Sequence, residues 1–288
     1  MKKTAIFLLA LGLILAACAP TGATGGPTPD ILATMVASTM QAVTPLAPPP
    51  TSISITVPTS VTMNGVAVAF NNVTLVVPIG LASGAHGEIA PASGSPDEPG
   101  GVVPQHTVIT LDGYNLGPRF HQPQILVYRV DEYAAANEAA AIAIEQLRTI
   151  LGDNNPNFPD KLPHLPVFYA EQLFHAKATK LDFGSGSGIR YLTQYSQAFV
   201  QINNHELLYT FQGLTSDGKY YVSVQLPITT PLLDTMSAPN FNDPAFTGDQ
   251  YGVYLQGVTK TLNSLDSPIF SPTLETFDQL VMSIVIGQ

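Results

Sequence analysis

The chain has 288 residues, 11 Lys+Arg against 21 Asp+Glu, and a formal net charge of −10 at pH 7. This acidic balance leaves no electrostatic footprint for nucleic acid, which is held through clustered cations, and it is repelled by an anionic membrane surface. Hydrophobic residues make up 45% of the chain, ample for a packed core, only 11% are charged, and Pro (25) and Gly (23) are plentiful, as in secreted β-rich proteins with long loops.

The N-terminus carries the strongest signal. Lys2 and Lys3 precede an apolar run from Ala5 through Ala17, and then comes Cys18. The run is short of the ~20 apolar residues a spanning helix needs and fits the apolar region of a secretory signal, residues 1–17. Leu15-Ala16-Ala17-Cys18 resembles the lipobox of bacterial lipoproteins. The resemblance implies cleavage before Cys18, diacylation of its sulfur and usually acylation of the new amino group. Each buried CH₂ contributes ~0.8 kcal/mol, and stable anchoring takes two chains or more. Cys18 is the only cysteine in the chain, so no internal disulfide competes for it. The bland alternative is an ordinary secretory signal with a chance cysteine. Without Lys2 and Lys3, 9 basic residues face 21 acidic ones. The lipid on Cys18, and not a basic patch, is therefore the expected link to the cell membrane or outer membrane, on the extracytoplasmic side.

Residues 18–60 read as the lipidated cysteine followed by a disordered tether. Asp30 is the one charged residue in 19–60, and the rest is rich in Thr, Pro, Ala, Gly and Ser; such a segment does not bury enough apolar surface to offset its ordering entropy. Pro45 to Pro50 favour polyproline II. Within the tether, Thr28-Pro29-Asp30 and the spacing of Ile31, Met35, Val36, Met40 and Val43 mark a short amphipathic helix, marginal on its own in water.

Residues 61–288 read as one globular domain. Val66, Val68 and Phe70, then Asn71-Asn72, then Val73–Val77 predict a β-hairpin ended by Pro78. Residues 83–104, rich in Gly, Pro and Ser, read as a flexible loop. Strands are expected over 106–114 and 123–130. One long helix is expected over 131–151, with Tyr133, Ala136, Ala140, Ile144, Leu147 and Leu151 as its buried stripe and Gly152 as its stop. Residues 153–170 form a proline-punctuated connection. The stretch 171–227 holds four strand-like runs, 171–182, 188–197, 205–213 and 219–227, with Ser216-Asp217-Gly218 as a hairpin turn. Their alternation leaves one face wetter than the other. Residues 228–270 read as irregular. The C-terminal helix is expected to start at Ser271-Pro272 and to bury Leu274, Phe277, Val281 and Ile284.

The search for chemistry yields little. His86, His106, His121, His164, His175 and His205 lie at no metal-ligand spacing, although His106 and His121 flank one strand-turn region. Phe183-Gly184-Ser185-Gly186-Ser187-Gly188 fails the phosphate-loop pattern, because a strand follows where a helix N-terminus is required. It also fails GxSxG, having Gly at 186. Asp131 and Glu132 suit a helix start, and Asp182, Glu206 and Asp217 suit strand ends. No catalytic residue, metal site or cofactor is expected. Arg190, with Tyr191, Gln194 and Tyr195, is the one candidate ligand site, since arginine beside aromatics suits a carboxylate or a stacked ring. Its bland alternative is an internal ion pair, with Asp182 across the hairpin.

In element order the chain resembles the PsbP-like α/β/α sandwich, through GVAVAF…TLVVPIGLA, the helix after ILVYRVDEY and the closing TFDQLVMSIVIG. The strings GIRYLTQYSQ and NNHELLYTFQGLTSDGKYYVS resemble uncharacterised bacterial lipoproteins with Thr/Pro/Ala-rich tethers. The expected fold class is α+β: an antiparallel β-sheet with one long helix and a C-terminal helix packed on it. Since PsbP-like domains are mostly non-catalytic assembly or binding modules, the resemblance implies a binding or assembly role at the cell envelope, with an envelope protein as partner. The alternative is an envelope hydrolase with a loop-built active site.

Overall fold

The computed structural model describes residues 64–153 and 157–287. The expected signal peptide, Cys18, the tether and its short helix lie outside the described residues. The first elements are β1 (Gly65–Phe70) and β2 (Val73–Pro78), an antiparallel hairpin in register from Gly65↔Pro78 to Phe70↔Val73. Asn71 turns the chain with φ 53°, a left-handed conformation that asparagine tolerates well.

The stretch 83–104 is not a flexible loop throughout. It contributes β3 (Gly84–Ala90), which pairs over its whole length with β4 (His106–Asp112), and an isolated bridge joins Ser93 to Val103. Glycine weakens strand propensity, so the local sequence hides this strand. Here the glycine serves packing: a Cβ at Gly87 would lie 2.2 Å from Cγ of Phe70. His86 also binds Asp112 across the ladder, Nδ1 to Oδ1 2.7 Å.

After β5 (Gln124–Arg129) the expected single helix is two, α1 (Val130–Ala136) and α2 (Glu138–Gly152). Asn137 breaks it with φ −149° and ψ 113°. Its Oδ1 accepts from Ala140 N–H at 3.0 Å, capping α2, while its Nδ2 donates to the carbonyls of Gly100 (2.7 Å) and Val102 (3.1 Å). A cap that also ties down a neighbouring loop outweighs the alanines on either side. The buried stripe is Tyr133, Ala140, Ala143, Ile144, Leu147 and Ile150, with Ala136 exposed.

The chain continues through β6 (Glu171–Gln172), β7 (Ala176–Phe183), β8 (Gly186–Thr193), β9 (Tyr195–Ser196), β10 (Leu208–Thr215) and β11 (Tyr220–Pro227). Gly184-Ser185 is a two-residue turn between β7 and β8, as the failed phosphate-loop pattern predicts. The stretch 228–270 is largely helical: α3 (Pro231–Thr235), then α4 (Gly248–Ser264), then a short 3₁₀ turn at Ser267–Ile269. A reciprocal capping box between Thr247 and Gln250 starts α4. Last come α5 (Leu274–Met282), capped by Thr273 and not by the Ser271-Pro272 pair, and β12 (Val285–Ile286).

The fold is α+β with antiparallel sheets. The main sheet has seven strands in the order β3-β4-β5-β11-β10-β8-β7, every neighbouring pair antiparallel. A smaller sheet runs β1-β2-β12, and β6 pairs with β9. One face of the main sheet packs Ile109, Ile125, Tyr209, Phe211 and Val224 against β2, α4 and α5. The other packs Leu126, Tyr128, Tyr191 and Tyr221 against α1, α2 and Leu162 and Leu165 of the connection. No helix among the described residues is long and apolar enough to cross a membrane.

Both faces of β10 and β11 are therefore buried. The Thr210, Gln212, Ser223 and Gln225 positions that alternation marks as the wetter face are buried too. Water does not satisfy them, so other protein groups must.

Candidate functional site

Strand alternation splits the four-residue candidate site. Arg190 and Tyr191 are neighbours in β8 and point to opposite faces of the sheet. Arg190 faces α5, where its Nε lies 3.2 Å from Oδ1 of Asp278 and its guanidinium also donates to the Lys177 carbonyl. The Tyr209 hydroxyl donates to the same carboxylate oxygen at 2.8 Å. Burial raises the Asp278 pKa, and Arg190 pulls the other way. Arg190 is thus an internal ion pair, but with α5 and not with Asp182, which is exposed in the ladder opposite Ser187.

Gln194 serves the turn that follows β9. Its Nε2 donates to Glu206 Oε2 (2.8 Å) and to the Gln201 carbonyl (3.2 Å), and its Oε1 accepts from Asn203 N–H (3.0 Å). Tyr191 and Tyr195 do share a neighbourhood, and its centre is a residue read as an ordinary histidine. The ring of His164 stacks on Phe168 at 4.7 Å and lies 5.2 Å from the Tyr195 ring. The Tyr191 hydroxyl donates to the Pro163 carbonyl at 2.9 Å and sits 3.5 Å from His164 Nδ1.

This neighbourhood explains how the buried polar side chains are satisfied. Residues 157–170 have no strand or helix, so their backbone groups need partners from elsewhere. Gln212 Oε1 accepts from Leu165 N–H (3.0 Å) and from the Tyr221 hydroxyl (2.8 Å). Gln172 Oε1 accepts from Leu162 N–H at 2.8 Å. With its oxygen so engaged, Gln212 turns its amide nitrogen to Ser223 Oγ (2.9 Å), Thr210 Oγ1 (2.7 Å) and His164 Nδ1 (3.2 Å). The Gln225 amide nitrogen lies 3.3 Å from Nε2 of His164 and donates to the Leu165 carbonyl at 3.5 Å, while its oxygen accepts from Gln124 Nε2 at 3.3 Å. Burial lowers the His164 pKa to about 3, with His121 nearby adding to the shift. Burial likewise lowers His121 to about 4, helped by His205. These histidines stay neutral and structural at ordinary pH. His106 does not join them: its ring packs on Tyr128 at 4.5 Å, and its Nδ1 binds the Pro104 carbonyl.

Above Phe168 the surface opens into a cleft of about 710 Å³. Its walls are residues 168–171, residues 196–199 and the first half of α4. The ring of Tyr169 is 68% exposed and that of Phe199 46%. Phe199 packs on Tyr251 of α4 at 4.6 Å, and the Tyr251 hydroxyl donates to the Val200 carbonyl at 3.0 Å, so α4 holds this wall rigidly. Phe241 and Phe246 extend the same ring cluster. Gly248 and Gly252 line the α4 side, and a Cβ at Gly252 would meet nothing within 4 Å. Glycine there leaves room that a side chain would occupy. The one carboxylate in the cleft, Glu171, is paired with Lys161 at 2.8 Å.

A shallow aromatic surface therefore exists, lined by Phe168, Tyr169, Phe199 and Tyr251. Tyr169, Phe199 and Tyr251 escape sequence reasoning because Tyr169 lies in the proline-punctuated connection, Phe199 between two strand-like runs and Tyr251 in a stretch that reads as irregular. The one available signal was Thr247-x-x-Gln250, the capping box that starts α4. Among the described residues no group of three or more His, Cys, Asp or Glu is placed to hold a metal ion. Comparison with protein-family models, with curated proteins and with solved structures returns no match for this chain.

Proposed function

We propose that this chain is a lipid-anchored binding module of the cell envelope, held through Cys18 on the extracytoplasmic side and presenting the Tyr169–Phe199 cleft to a ligand or partner. The observation that carries the binding role is two exposed aromatic residues on neighbouring walls of one cleft, Phe199 braced by Tyr251 of α4, with glycines keeping the α4 side clear. Large exposed rings lose free energy in water and gain it against a ligand, and a rigid wall lowers the ordering cost of binding. The anchor rests on Leu15-Ala16-Ala17-Cys18 after a short apolar run. The element order that resembles PsbP-like sandwiches, whose members are mostly non-catalytic, agrees with binding; fold likeness alone is a weak guide to function.

The anchor is tested by Cys18→Ser in the native host. The variant is expected in the soluble fraction and without incorporated fatty acid. A variant that remains labelled and membrane-bound overturns the lipid anchor.

A further inference from the structure

The cleft does not end at Gly252. A second hollow of about 720 Å³ continues from it along α4, and the two share Lys161, Leu173, Gly252 and Leu255. The combined groove follows α4 from Gly248 to Asn263, roughly 22 Å at ~1.5 Å per residue. A groove of that length suits a chain, not a single small molecule.

Its chemistry changes along the way. One end offers the exposed aromatic residues Tyr169 and Phe199. The other offers polar α4 side chains, among them Gln256 and Thr259, which have no side-chain hydrogen bond to the rest of the described residues. Charge is balanced: Lys161 and Lys260 stand against Asp160 and Glu171 in a chain whose net charge is −10. A strongly charged ligand gains nothing from such a balance. A lipid chain would leave the polar end of the groove facing hydrocarbon, with donors and acceptors unsatisfied. A pyranose satisfies both ends: its C–H face packs on an aromatic ring, and its hydroxyl rim both donates to and accepts from amide and hydroxyl side chains.

From this geometry we infer that the groove along α4 binds an uncharged oligosaccharide chain, with one sugar ring stacked on Tyr169 or Phe199 and the following sugars hydrogen-bonded along Gln256 and Thr259. The inference rests on the binding-module reading and names its ligand class.

The absence of tryptophan from the chain makes the test direct. Tyr169→Trp places a single indole at the proposed stacking position, on a side chain exposed enough for the fold to tolerate it. The full chain carrying this substitution, in phosphatidylcholine vesicles, is titrated with cellohexaose, maltohexaose and chitohexaose. At least one is expected to shift the indole emission saturably, with an affinity that does not change as salt is raised. At least one of Tyr169→Ala and Phe199→Ala, measured by calorimetry with the same sugar, is expected to lose about tenfold in affinity, and Tyr169→Ala leaves thermal unfolding unchanged. Binding that survives both alanine variants overturns the assignment. If none of the three sugars binds but an extended peptide library shifts the indole, the saccharide assignment falls and the binding module stands. If neither class shifts it, both fall.

Discussion

The side-chain amide nitrogen of Gln212 lies 3.2 Å from Nδ1 of His164 across 48 positions of chain, from the middle of β10 to a segment without secondary structure. The other end of the same amide accepts from Leu165 N–H at 3.0 Å. One glutamine thus packs beside a buried histidine and replaces a ladder partner for the backbone next to it.

Gln212→Leu is similar in size but accepts no hydrogen bond. It leaves Leu165 N–H and the Tyr221 hydroxyl buried and unpaired, each at about 1–3 kcal/mol. A loss of at least about 2 kcal/mol in urea unfolding is expected, with faster protease cleavage inside 157–170. A loss below about 0.5 kcal/mol would show that the amide is not the support of that segment.

The neutral histidines set the acid limit of the fold. With folded pKa values of about 3 for His164 and about 4 for His121, both lie below the unfolded value near 6.5. Between these limits the unfolded chain binds more protons than the folded one, so stability is full above pH ~6.5 and falls as pH drops toward the folded values. Each histidine contributes a slope of about 1.4 kcal/mol per pH unit within its window. His164→Gln should lower stability at pH 7 and flatten the fall between pH 6 and 4 by about one such slope. An unchanged slope would mean that His164 titrates in the folded state.

The Arg190–Asp278 pair joins the main sheet to α5. Both side chains keep some exposure, 13% and 20%, so removing one partner should cost about 2 kcal/mol, less than the about 3–5 kcal/mol typical of full burial. Arg190→Met and Asp278→Asn are each expected to destabilise by that amount, and the double variant by clearly less than their sum. Additive losses would indicate that the two side chains act separately.

Asn137→Ala removes the cap of α2 and the two bonds that hold Gly100 and Val102. The expected cost is about 1–2 kcal/mol. Proteolysis should move into 93–103, while the β3–β4 ladder stays protected. A cut pattern identical to that of the parent chain would count against Asn137 as the tie.

The hairpins are legible in the sequence because their signals are local: alternation in Val66–Phe70 and Tyr220–Leu226, with Asn71-Asn72 and Ser216-Asp217-Gly218 between strands. The helices fail where a local preference meets a longer-range demand. Asn137 sits among alanines that favour continuing the helix, and only its loop contacts explain the break. Gly248, Gly252 and Gly257 disguise α4, since each weakens helix propensity. β3 is disguised by Gly84 and Gly87, yet Gly87 is what lets Phe70 approach. The four candidate residues are not brought to one face for a geometric reason: Arg190 and Tyr191 are adjacent in sequence, and adjacency in a strand places side chains on opposite faces. Asp278 as the partner of Arg190 depends on the docking of α5, which no spacing rule reveals.

The segment 157–170 ahead of β6 has one further property. Its path is written mostly in residues that are not part of it, since Gln172, Tyr191, Gln212 and Gln225 grip its backbone from the sheet. Its amides at Leu162 and Leu165 should therefore exchange with solvent as slowly as those of a central strand, though no strand is there. To a protease or an exchange experiment, this coil is part of the sheet.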